Sequence, residues 1–177
     1  DVIGPSAITF NADHFLFDDI YGRVLFLDTL PALLSTGMLS EITDMPCGML
    51  TSIQYEPIAQ DKAMKLLRNQ MVNINANVID YQKRAAKSGY SGALLSPDLT
   101  KAQEETAQLI EDMTSRNQKM YFVTVSVVLL AESLEELNKN TKTLISNASK
   151  YLVSFKKLQY QQEPGLTTTL PLACNKI

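Results

Sequence analysis

The chain has no tryptophan, one histidine and only two cysteines among its 177 residues. With His14 the single histidine, no histidine metal cluster can form, and no Ser-His-Asp or Cys-His constellation has a second ring to draw on. His14 lies between Asp13 and Phe15, where a strand bulge accounts for it better than catalysis does. Cys47 and Cys174 cannot supply a four-ligand zinc site unaided. Their wide separation suits two thiols of a reducing compartment, with a disulfide between them left open. None of the seven glycines is followed by lysine, so the chain holds no phosphate-cradling G-x-x-x-x-G-K-[ST] loop. The Gly89-Tyr90-Ser91-Gly92 stretch lacks dinucleotide-fingerprint spacing and reads as a flexible loop tip. No run of 18 apolar residues is present to span a membrane, and no basic-then-apolar leader opens the chain. Asp1 in place of Met, and an end at Ile177 just after Cys-Asn-Lys, suggest a piece of something longer.

Carboxylates are plentiful, but their spacing does not favour chemistry. Asp18-Asp19, Glu104-Glu105 and Glu135-Glu136 are adjacent pairs whose side chains diverge on a strand or helix, whereas a general acid/base pair must converge in an apolar pocket. Turn chemistry explains the first pair and helix faces the others. No catalytic, cofactor-binding or metal-ligating residue is assigned.

Net charge is −3, unevenly spread. Residues 1–60 carry eight acids against the single base Arg23, a balance of −7, and residues 61–177 carry a balance of +4. Between Asn138 and Gln162 there are five lysines and no acid. These segments suggest opposed faces for docking. A pI near 5.2 argues against general nucleic-acid binding, which favours basic chains. Lysines do interleave with aromatics at Tyr151, Phe155, Lys156, Lys157 and Tyr160, which makes a single-stranded nucleic-acid platform the alternative reading.

What the chain has in abundance is packing material. Residues 119–130, KMYFVTVSVVLL, form the longest β-branched and aromatic run, with no charge after Lys119 and no Gly or Pro. Such a run predicts a central strand buried on both faces. Before it, Ile8, Phe10 and Ala12 alternate with polar neighbours, and 15–17 follows after a possible bulge at Asp13-His14. Residues 18–22 supply a turn, and 23–27 return as the partner strand. Pro31 opens a short helix that Gly37 ends in its first stretch, and 38–45 continue as helix or loose turn. Residues 47–55 are a third strand stopped by Pro57.

Asp61 caps a long helix with a seam of Met64, Leu67, Met71, Ile74, Val78 and Tyr81. Gly89 and Gly92 break it, and Ser96-Pro97 start a second helix with Leu99, Ala102, Thr106, Leu109 and Met113 inward. Together 61–117 form an antiparallel helical hairpin. Ser133 and Glu136 make a capping box for a helix carrying Leu137, Leu144, Ile145 and Ala148, and 151–158 are a last strand. The expected fold is α+β: a largely antiparallel sheet covered by helices on one face, with a long helical hairpin inserted between strands. Residues 1–177 form a single domain.

Two stretches carry a family resemblance. Residues 21–31, YGRVLFLDTLP, followed by Met38-Leu39, resemble the "Y-x-R … P … hydrophobic-Leu" opening of the large conjugative-transfer ATPases. Residues 161–172, QQEPGLTTTLPL, resemble their "Q … G … [ST]-x-LP[L]" segment, which precedes the motor domain. The chain is thus similar to the N-terminal domain of the type IV secretion motor ATPases, the group typified by TrbE, TraE and CagE. It departs from them at Thr29-Leu30, where an aromatic is frequent, and at Ala173-Cys174, where a Gly is frequent. The resemblance implies a non-catalytic docking and assembly domain for conjugative DNA transfer, with 159–177 beginning the connection to an ATPase domain not present here. ATP and Mg would bind in that missing domain. The implied partners are other secretion-channel components, further copies of the motor and a peripheral membrane contact. The implied location is cytoplasmic, at the inner face of the bacterial cell membrane.

Overall fold

The computed structural model describes residues 7–31, 37–87, 96–172 and 174–177. The chain divides into two compact units, Asp1–Tyr55 with Val123–Ile177, and Glu56–Phe122. The first is an α+β unit and the second is helical.

The first unit is built on a six-stranded antiparallel sheet in the order β1-β2-β3-β5-β4, with β6 also paired to β3. Strands β1 (Ile8–Phe10), β2 (Phe15–Phe17) and β3 (Ile20–Thr29) form two successive hairpins. Where two strands and a bulge at Asp13-His14 are expected, the structure has three strands. Residues 11–14 are a tight turn closed by the Asn11 N–H on the His14 carbonyl at 2.9 Å. The second turn needs only Asp18 and Asp19, with Asp18 at φ 52°, a left-handed conformation that Asp tolerates. Tyr21 and Gly22 are thereby released into β3.

Strand β4 (Gly48–Pro57) ends at Pro57 as expected. Strand β5 (Tyr121–Ala131) pairs with β3 from Tyr21↔Ala131 to Phe26↔Ser126. Its residues 125–129 are all buried, so the two-sided burial expected of this strand holds for its second half, while 121–123 are about half exposed. Val125, Val127, Leu129 and Ala131 join Leu25 on one face, under helices α1 (Gly37–Thr43) and α4 (Leu134–Ser149). Val128 joins Phe15, Val24 and Leu158 on the other, where Leu166 of helix α5 (Gln162–Thr169) packs. Helices thus cover both faces, not one. The residues expected to lead toward a further domain are folded onto the sheet at this point. The helix expected to begin at Pro31 falls on 32–36, outside the described residues. Gly37 opens the described helix.

The capping box of α4 forms with a shift. The Glu136 N–H donates to Ser133 Oγ at 3.2 Å, and Glu136 Oε2 accepts from the Glu132 N–H, one residue before the cap. At the other end, the Val153 N–H reaches the Ala148 carbonyl and the Leu152 N–H reaches Ser149, a Schellman closure with Leu152 at φ 58°. The chain is still turning at 151–152, so strand β6 is only Ser154–Lys157, not 151–158.

The second unit is the helical hairpin, α2 (Gln60–Lys87) and α3 (Pro97–Ser115). Gln60 Nε2 donates to the Met113 carbonyl at 3.4 Å and Gln103 Nε2 to Asn75 Oδ1 at 3.0 Å, a register that runs the helices antiparallel. Ile58, Ala63, Leu67 and Met113 form its core, with Met64, Ile110 and Met120 against them. On α3 the expected seam residue Leu109 is exposed and Ile110 takes its place. A 3.6-residue repeat drifts off strict three-four spacing along a helix. Residues 88–95, which hold the expected Gly89 and Gly92 break, lie outside the described residues.

Two substitutions test this framework. A Cβ on Gly22 would sit 2.1–2.8 Å from three ring atoms of the buried Phe15, its cross-strand partner. Gly22→Ala should therefore lower unfolding free energy by about 1–3 kcal/mol in urea titration. Leu152 is 77% exposed and makes no core contact, so Leu152→Gly relieves the left-handed strain at little packing cost. It should stabilise by about 0.5–1 kcal/mol in the same titration.

Candidate functional site

Arg23 stands on β3 one residue before Val24, so its side chain leaves the sheet on the α4 face, among apolar neighbours. It is 1% exposed. A guanidinium removed from water needs partners for its donors. Its Nε donates to the Asp13 carbonyl at 2.8 Å, its Nη2 to Asp13 Oδ2 at 2.9 Å, and its Nη1 to Asn138 Oδ1 at 2.9 Å and Thr141 Oγ1 at 3.0 Å. One side chain thus joins the β1–β2 turn, β3 and α4.

Asp13 is shared further. Lys157 Nζ lies 3.5 Å from its Oδ2, and His14 Nδ1 2.8 Å from its Oδ1. The His14 hydrogen bond, followed by the Arg23, Lys157 and His14 charges, holds the Asp13 carboxyl below the usual range against the opposing effect of burial. Burial pushes the Arg23 guanidinium down, and Asp13 opposes that shift. The far nitrogen of His14, Nε2, lies 3.1 Å from Asn11 Nδ2. Both ring nitrogens of His14 are thus engaged, by Asp13 and by Asn11. Chemically, the cluster clamps the fold.

The same pairing joins the two segments expected to form docking faces. Lys156 Nζ pairs with Asp28 at 2.8 Å and Lys150 Nζ with Glu41 at 2.8 Å, while the Tyr151 hydroxyl donates to the other oxygen of Glu41. The hydrogen bond from Lys156 lowers the pKa of Asp28, and that from Lys150, then that from Tyr151, lowers the pKa of Glu41. Three of the five lysines in 139–157 are therefore paired with acids of the N-terminal third. The two segments meet each other, where the uneven charge suggested opposed faces. Lys139 and Lys142 remain, beside Asn138, Glu135 and Glu136, around an open depression of about 570 Å³.

The nucleic-acid alternative rests on Tyr151, Phe155, Lys156, Lys157 and Tyr160. Phe155 is in the core, Lys156 and Lys157 are paired, and Tyr151 is bonded to Glu41. Tyr160, 84% exposed, is the one ring of that set left for stacking.

Elsewhere, Cys47 and Cys174 are free thiols, both half-buried, and burial, then the Glu136 charge, raises Cys47. Among the described residues no group of three or more His, Cys, Asp or Glu could hold a metal ion, and no helix is long and apolar enough to cross a membrane. The second unit holds an apolar cleft of about 420 Å³ lined by Ile58, Met113 and Met120.

A different surface stands out, and residue spacing alone did not single it out. β4 ends the strand order, so among the described residues it is paired on one side only. Its ten residues carry no charge before Glu56, and Leu50, Ile53 and Tyr55 are exposed, Tyr55 at 66%. A long uncharged edge with unpaired backbone groups invites a further strand. The cue was legible in GMLTSIQY, but its position at the sheet edge was not.

Fold and site together define an α+β protein whose polar clusters brace the structure and whose open surface is a strand edge. No protein-family model matches the chain, and no curated protein matches it.

The bracing is testable by pH. A carboxyl with a lowered folded pKa contributes stability above its unfolded value, near 4, and loses it as pH falls through the folded one. Asp13, Asp28 and Glu41 all shift this way, so unfolding free energy should drop steeply below about pH 4. Asp13→Asn should flatten that limb in part. It should also cost about 1–2 kcal/mol at pH 7, less than a fully buried pair because Asp13 is 36% exposed. Chemical denaturation across pH 2–7 reads both.

Proposed function

We propose that this chain is a non-catalytic docking and assembly domain of a type IV secretion motor ATPase. In this reading it lies on the cytoplasmic side, peripheral to the inner face of the bacterial cell membrane, and links the motor to the channel for conjugative DNA transfer. ATP and Mg are then bound elsewhere in the longer protein.

The observation that carries the docking role is the one-sided β4 edge, with Leu50, Ile53 and Tyr55 exposed along it. Strand addition to such an edge draws affinity from main-chain hydrogen bonds and specificity from alternate side chains. The family assignment rests on the two sequence stretches, which also meet in the fold. The Val24 N–H of the first donates to Gln162 Oε1 of the second at 2.8 Å, so the paired segments support one another structurally.

The test is capture of the full chain on immobilised cytoplasmic segments of the inner-membrane channel proteins. The unmodified chain should be retained. Ile53→Asp and Thr51→Pro, each checked for native circular dichroism, should reduce retention at least about tenfold, since the second removes an edge donor. Failure of the unmodified chain to bind any of these segments would sink the reading.

A further inference from the structure

The chain entering α2 and the chain leaving α3 meet around a cleft whose floor and mouth differ in kind. α3 closes with Asn117 at φ 51°, a left-handed conformation that Asn tolerates. The Gln118 N–H then returns to the Asp112 carbonyl at 3.4 Å. Residues 118–120 are thereby brought beside 57–60, where the Ile58 N–H donates to the Met120 carbonyl at 3.0 Å. Between these segments lies the apolar cleft of about 420 Å³. That volume falls within the range of small-ligand sites, roughly 300–1,000 Å³.

Its floor is made by Ile58 and Met113, both buried, and by the half-buried Met120. Methionine is unbranched and adapts its shape, so this floor suits a linear alkyl chain better than a rigid ring. The polar lining residues are Gln60, Gln118 and Lys119, all exposed, and no acid lines the cleft. Asp112, the acid at the end of α3, is paired with Arg116 at 2.9 Å. Among the described residues Lys119 pairs with no carboxylate. A cation without a counter-ion at the mouth of an apolar cleft selects an apolar chain that ends in an anion.

We infer that this cleft binds a free straight-chain carboxylic acid of medium length, with its alkyl chain against Ile58, Met113 and Met120 and its carboxylate at Lys119. Each methylene that enters removes further apolar surface from water, so affinity rises about fourfold per CH2 until the cleft is full. The carboxylate contributes orientation more than affinity, since an ion pair at an exposed lysine is worth about fivefold at most. The site rests on the second unit alone. It is independent of the docking role, and the failure of either leaves the other standing.

Isothermal titration calorimetry of the full chain with hexanoate and octanoate, run beside NMR of the methionine methyl groups, tests it. Octanoate should bind saturably, about sixteenfold tighter than hexanoate, and should shift the Met113 and Met120 methyl signals. Lys119→Gln should weaken octanoate about three- to fivefold and leave octan-1-ol unchanged. Gln118→Glu/Lys119→Gln should invert the preference, from octanoate to octylamine. Both positions are exposed, and circular dichroism with a thermal melt confirms that each variant folds. A wild-type chain whose Met113 and Met120 signals stay put at about 10 mM octanoate would overturn the proposal. So would equal affinity for octanoate, octan-1-ol and octylamine. Displacement of octanoate by an apolar peptide ending in a carboxylate, bound more tightly than any of the acids, would overturn it too and assign the cleft to a protein partner.

Discussion

Strand β3 has both edges occupied, and most of the first unit follows from that constraint. β5 takes one edge from Tyr21 to Phe26. On the other, β2 covers residues 20–22 and β6 begins at Leu25. The gap between them would leave backbone groups of Val24 unpaired inside the protein, at a cost of about 1–3 kcal/mol each. It is closed by the Gln162 amide, which accepts from the Val24 N–H, and by the Leu158 N–H, which donates to the Val24 carbonyl at 3.1 Å. Gln162 also donates to the Leu158 carbonyl. That bond ties the start of α5 to the strand it follows, and Gly165 of α5 then lies close against Leu158 and Val24. A segment expected only to begin a connection to a further domain is therefore part of the ladder.

Arg23 applies the same constraint to side chains. Its neighbours on β3 are in two hydrophobic clusters, so its charge survives burial only with the β1–β2 turn and α4 converging on it. Replacing such a network with apolar residues is often neutral or stabilising, so its presence says more about a specified arrangement than about net stability. It fixes the β1–β2 turn over α4, and Lys150 with Tyr151 fixes α1 through Glu41 in the same manner. Three lysines of 150–157 thus meet acids from the first 41 residues.

This explains what the sequence reveals and what it hides. The run at 119–130, the Ser133–Glu136 box and Ser96-Pro97 each carry their structural signal within a few residues and each falls in the expected element, but the Ser96 side chain makes no cap hydrogen bond. Gln162, Arg23 and Asp13 act across more than a hundred residues of chain in some of their contacts, and nothing local marks them. Leu152 misleads for a different reason. Its left-handed conformation is one that Gly normally occupies, so a β-rich stretch at 151–158 looks like uninterrupted strand. Leu109 misleads because three-four spacing fits two adjacent residues nearly equally well over four turns. The α+β class was legible, but the β4 edge depends on strand order, which no local pattern encodes.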